Sequence, residues 1–153
     1  MRPSTWQPPI ETSAAEDQII KRIERAKLVT FLRRHRHQIF TPEFQAGLAG
    51  IYKDSPQGQP PVPPAMLALA LILQAYTEVS DDEVIEATLM DRRWQLALDC
   101  LEAQEPQFSK GTFVAFRARL IEHQMDRRSI ERTIEIAAAS KAFGARNLRA
   151  ALD

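Results

Sequence analysis

Three histidines, one cysteine and one cluster of carboxylates are the side chains of this chain whose chemistry would decide for an enzyme, and their spacing does not assemble one. His35 and His37 stand two apart on a predicted helix, about 200° apart around its axis, so they cannot chelate a metal from one face. Cys100 has no His or Arg–His grouping near it in sequence to lower its pKa and reads as a small buried thiol. The glycines at 47, 50, 58, 111 and 144 form no phosphate-cradling loop. Asp81, Asp82 and Glu83 carry charge enough for Mg²⁺, but adjacent carboxylates at a helix start more often serve capping and the helix dipole. The residues therefore assign no catalytic set, no metal and no cofactor.

The chemistry that remains is recognition. In Ser109–Leu120, Phe113, Phe116 and Leu120 share one helical stripe, while Gly111, Thr112, Ala115, Ala118 and Arg119 fall opposite it. A helix with a low-profile, polar outer face can enter the DNA major groove, and Ser109, Lys110, Thr112 and Arg119 suit contacts to bases and phosphates. The same pattern also describes an ordinary amphipathic helix with a solvated face. Arg117 falls on the inward side, where it needs a carboxylate; Asp82, Asp91 and Asp99 are the candidates. It is read as structural, as are Trp94, Phe113 and Phe116. A second cationic group, Lys21, Arg22, Arg25, Lys27, Arg33, Arg34 and Arg36, fits phosphate contact, or else packing against an acidic surface of this chain or of a second copy.

The elements that must position these residues are helices, because the long stretches free of proline are rich in Ala, Leu, Glu, Arg and Ile and show no strand alternation. The expected fold is all-α, a multi-helix bundle containing a helix-turn-helix-like unit. One helix is predicted over Ala14–His37, a short one after the Thr41-Pro42 cap, and a wholly apolar, buried one over Ala65–Tyr76 with Met66, Leu69, Ile72 and Leu73 in the core. Ser80-Asp81-Asp82-Glu83 opens the next as a capping box, with Val84, Ile85, Thr88 and Leu89 inward. Shorter helices follow over Arg92–Leu98, Lys110–His123, Asp126–Ala139 and Ala145–Leu152. Prolines 56, 60, 61, 63 and 64 mark a connector. The domain reading is a basic helical segment over 1–52, the connector over 53–64, a helical core over 65–139 and a C-terminal segment over 140–153.

With 153 residues, 44% hydrophobic, the chain suits a single folded domain, and its lone cysteine suits a reducing, cytoplasmic compartment. Its apolar stretch 65–76 falls short of the roughly 20 residues a membrane span needs. Net charge is zero but partitioned: residues 1–38 hold 8 basic and 4 acidic side chains, 39–108 hold 3 and 11, and 109–153 hold 9 and 5. Two basic ends around an acidic middle mean either a polyanion-binding face or helical regions that neutralise one another.

Taken in order, Gln59-Pro60-Pro61-Val62-Pro63-Pro64 before an apolar helix, Val79-Ser80-Asp81-Asp82-Glu83, Asp91-Arg92-Arg93-Trp94 and Phe108-Ser109 with Phe113-Val114-Ala115-Phe116-Arg117-Ala118-Arg119-Leu120 resemble the N-terminal domain of insertion-sequence transposases of the InsH type. The resemblance covers about residues 36–123. It implies a helical domain that binds double-stranded DNA at the terminal inverted repeats of a mobile element and delivers them to an RNase H-like catalytic domain carrying three metal-binding carboxylates. It further implies that Ala150-Ala151-Leu152-Asp153 approaches the first of those carboxylates, making Asp153 the remnant of an incomplete site. The expectation is then a truncated transposase, DNA-binding but without strand transfer of its own, nucleoid-associated in a bacterial cytoplasm. The alternative is a protein-interaction or homodimerisation module, and a self-sufficient enzyme is the weakest reading.

Overall fold

The N-terminal half is arranged around the buried carboxylate of Glu16. The structure is a computed structural model in which residues 3–23, 25–52, 61–141 and 144–152 are described. Most of the predicted connector therefore lies outside the described residues, as does Asp153. Among the described residues there are nine helices and no strand: α1 (Ala14–Arg22), α2 (Lys27–Ile39), α3 (Pro42–Ala49), α4 (Pro64–Thr77), α5 (Asp81–Met90), α6 (Arg92–Leu98), α7 (Lys110–Glu122), α8 (Arg128–Ser140) and α9 (Ala145–Leu152). The fold is all-α.

The single helix expected over Ala14–His37 is two helices. Its sequence carries two apolar stripes out of phase, and one straight helix could not bury both. The chain leaves helical geometry at Ile23 (φ −111°, ψ 41°) and re-enters after Ala26, so that Ile19 is buried from α1 while Leu28, Val29, Phe31 and Leu32 are buried from α2. The fold-back joins Glu16 to Arg33: Nε donates to Oε2 at 2.6 Å and Nη2 to Oε1 at 3.0 Å. On a continuous helix residues 17 apart would be separated by about 25 Å. Glu16 also closes a capping box on α1, accepting from the Ser13 amide while the Ser13 hydroxyl accepts from its own.

Arg33 and Arg36 hold the N-terminal segment in place. Arg33 donates to the carbonyls of Ile10 and Glu11, and Arg36 to that of Pro9 and, on its other side, to those of Leu96 and Ala97 in α6. Gln45 of α3 meets the Trp6 backbone twice, accepting from its amide and donating to its carbonyl, and the Trp6 ring lies edge-on to Phe40. Residues 3–12 are thus an extended strap laid over α2 and α3.

At the centre lies α4, whose residues from Pro64 to Ala70, with Ile72 and Leu73, are buried. Its neighbours are α3, α6, α7, α8 and α9. Met66, Leu69, Ile72 and Leu73 are core residues as expected, and the helix ends one residue later than predicted, at Thr77, with Glu78 as its cap in left-handed geometry (φ 57°). The Ser80 capping box on α5 and the Thr41-Pro42 start of α3 are present. Val84 and Thr88 are fully buried, Ile85 and Leu89 half-buried. No helix among the described residues is long and apolar enough to cross a membrane.

The hydrogen bonds from Arg33 hold the Glu16 carboxyl down to about 2, against an ordinary value of 4.5. A depressed carboxyl stabilises the fold at pH values above its unfolded pKa, and that contribution disappears as pH falls through the folded one. Thermal unfolding followed by circular dichroism should show stability independent of this group down to about pH 5, then a loss of about 3 kcal/mol from it between about pH 4.5 and 2. Glu16→Gln should lower stability at neutral pH by about 3 kcal/mol, because Arg33 is left buried without its counter-charge, and should remove that part of the acid dependence.

Candidate nucleic-acid interface

Helix α7 begins where Ser109 caps it, its hydroxyl accepting from the Thr112 amide at 3.1 Å and donating to Oγ1 of Thr112 at 3.0 Å. Ser109 and Lys110 are exposed and Thr112 half-exposed, so the first turn of α7 presents a polar surface. Phe113, Phe116 and Leu120 are buried, with Phe108 stacked on Phe113 at 5.5 Å. Trp94, 4% exposed, is buried from α6. The four residues expected to be structural, Arg117 among them, are packed in the interior or at its edge.

The outer face of α7 differs from the expected one. Its most exposed line runs through Lys110, Gly111, Val114 (39%), Ala118 and Ile121 (57%), roughly a quarter-turn from the predicted polar face. Arg119 is not on it. Its guanidinium lies 4.6 Å above the ring of Tyr52, three residues past the end of α3, and the side chain is half-buried there. An aromatic platform at a helix flank captures a long cation as readily as solvent does. The face remains low in profile, but its character is small and apolar with a cationic N-terminal end.

Arg117 takes a carboxylate, though not one of the three anticipated. Its Nη2 donates to Oδ1 of Asp81 at 2.5 Å and to Oε1 of Gln74 at 2.9 Å, and Nη1 donates to Oδ2 of Asp81 at 3.2 Å. Asp91 and Asp99 are excluded by the fold, since Asp91 is committed to Arg93 and to capping α6. Asp82, the third candidate, pairs with Lys110 instead (Nζ–Oδ1 3.2 Å). The guanidinium of Arg117 holds the Asp81 carboxyl down to about 2. The acidic triplet is therefore a capping box whose two aspartates fix α7 on α5, Asp82 at its first residue and Asp81 at its middle. Among the described residues no three His, Cys, Asp or Glu side chains gather where they could hold a metal ion.

The basic N-terminal residues separate into two groups. Arg33, expected to contact phosphate, is 0% exposed and held by Glu16, Ile10 and Glu11, so it is out of a ligand's reach; Arg36 is buried too, its Nε without a hydrogen-bond partner among the described residues. Lys21, Arg22, Arg25 and Arg34 are exposed. The first three meet Arg92 and Arg93, at the start of α6, around two adjoining hollows of about 590 and 360 Å³. Arg92 and Arg93 appear in the sequence only as the start of a helix. What gathers them with residues some 70 positions earlier is the packing of α1 on α6, which local periodicity does not encode.

A family model described as a transposase domain (DUF772) matches residues 17–119. No curated protein and no solved structure gives a significant match. The matched stretch runs from the middle of α1 through most of α7, and so contains both the groove and the polar start of α7.

Arg117→Lys keeps the charge at the α4–α5–α7 junction but not the planar fork that serves Asp81 and Gln74 together. Urea denaturation should show it about 1 kcal/mol less stable than the wild type, and Arg117→Ala about 2 kcal/mol less stable. A variant as stable as wild type would mean that the fork contributes nothing.

Proposed function

The chain belongs to the DUF772 transposase domain family, and on that premise we propose that it is the DNA-binding domain of a transposase, recognising the terminal inverted repeats of an insertion sequence through α7. The observation that carries the reading is the family match; the form of α7 supports it. Duplex DNA admits a helix into its major groove when the facing side chains are short, and Gly111, Val114 and Ala118 are. Lys110 and Thr112, on the first turn, are the base- and phosphate-contacting residues of this reading, with Ser109 fixing the turn that carries them. Val114 brings an apolar contact of the kind that reads a thymine methyl group. Helices α5 to α7 form the helix-turn-helix-like unit, with α7 as its reading helix. The role is binding and delivery of DNA ends, and no described residue is assigned to breaking or joining strands.

A second reading has its own observation. Val114, Ala118 and Ile121 lie at i, i+4 and i+7, an exposed apolar seam that two copies could share.

Fluorescence anisotropy with duplexes bearing the inverted repeats that flank the coding region, and with scrambled duplexes, separates the two. The expected outcome is a preference for the repeats that falls about tenfold in Lys110→Ala or Thr112→Ala. Equal affinity for both duplexes would remove the sequence-reading role. Sedimentation without DNA should give a monomer; a dimer dissociated by Ile121→Asp would establish the seam as an interface.

A further inference from the structure

We propose that the groove between α1 and α6 seats the sugar–phosphate backbone of duplex DNA, as a second contact apart from the α7 face. The proposal rests on the reading of the chain as a DNA-binding domain and adds to it a site, with Arg92 and Arg93 as members.

The first argument is the state of the charges. Several other cations of this fold are paired, Lys110 with Asp82, Arg117 with Asp81 and Arg149 with Glu131, while Arg34 and Lys141 stand exposed singly. In the groove Lys21, Arg22, Arg25 and Arg92 are exposed and have no ion-pair partner among the described residues. Like charges gain nothing from one another's company, so a fold that gathers four of them satisfies them from outside.

The second is Asp91, the only acidic residue among the described residues that line the hollows. Its carboxylate does not neutralise the group as a whole, because both oxygens are already used. Oδ1 accepts from the Arg93 amide at 2.9 Å and from Arg93 Nε at 3.1 Å, and Oδ2 accepts from Nη2 at 2.8 Å. Asp91 is therefore a positioning residue. It fixes a guanidinium that, with Arg22 and Ile23, lines both hollows, and it leaves the Nη1 amino group of Arg93 for a ligand. A pre-oriented guanidinium suits the paired oxygens of a phosphodiester better than a freely rotating ammonium does.

The third is the shape and floor. The hollows are open and run on from each other, as a polymer requires, and between the cations lie Ala14, Ala15, Ile19 and Ala26 with no aromatic ring. A site for single strands would offer rings on which bases stack. Small apolar side chains among guanidinium groups fit deoxyribose and phosphate, which carry no sequence information.

Removing these cations should weaken binding to any duplex alike and release fewer counterions. The experiment is anisotropy titration of a labelled mixed-sequence duplex across a series of salt concentrations, on the whole chain. Wild type is compared with the double variant Arg22→Ala/Arg25→Ala, with Arg92→Ala, and with Lys141→Ala, an exposed cation at the end of α8. The slope of log affinity against log salt should shrink by about 1 in Arg92→Ala and about 2 in the double variant. Affinity at low salt should fall several-fold in both, with the thermal unfolding midpoint unchanged, since these side chains hold nothing in the fold. Wild-type affinity and slope in the groove variants would overturn the site, and so would equal losses in Lys141→Ala, which would mean diffuse charge only. If wild type binds no duplex, the DNA-binding reading itself fails; if it then binds poly-glutamate through the same cations, the groove belongs to an acidic protein partner.

Discussion

Two arginines one helical turn apart, both buried, Arg33 bonded to the one carboxylate of Glu16 and Arg36 to backbone carbonyls alone, are the constraint around which the N-terminal half is built. An interior guanidinium is tolerated only when nearly all its donors are satisfied. Glu16 supplies one set of acceptors and backbone carbonyls supply the rest: those of Pro9, Ile10 and Glu11 on one side, and of Leu96 and Ala97 on the other. The helix break at 23–26, the extended strap and the approach of α6 to α2 are what it takes to bring those acceptors within reach. The polar interior of this half is the reason for its shape.

From that arrangement follows the division of the basic residues. The sequence presents one cationic helix; the fold turns part of it inward as scaffold and leaves Lys21, Arg22, Arg25 and Arg34 at the surface. Mutual neutralisation, one meaning of the split charge, is realised where Lys110 and Arg117 of α7 meet the carboxylates of α5. The cations at the end of α1 meet more cations, at the start of α6. On the DNA-binding reading proposed above, that unneutralised surface is the one that meets a polyanion.

How much of this could be read beforehand depended on the range of the interaction. Helix type, the buried α4 and the caps at Thr41, Ser80 and Ser109 are set by residues within four positions of one another, and all were legible. The Ser13–Glu16 capping box obeys the same local rule. Arg117 could be placed inward from its wheel position, but its partner depended on how α7 crosses α5. The burial of Arg33 and the removal of Arg119 to Tyr52 depended on contacts 17 and 67 positions apart, which no helical period encodes. The groove fell in the same class: its cations sit on two helices that meet only in three dimensions.

The strap has a consequence for the order in which the chain can acquire its structure. Residues 3–12 are made before α6, but Arg36 fastens Pro9 to Leu96 and Ala97, and Gln45 fastens Trp6. The strap is therefore finished only once α6 has been synthesised. Until then the Arg36 guanidinium lacks its acceptors in α6, and the growing α1–α3 segment cannot close into a settled unit on its own. The strap behaves, in assembly, as a closing piece.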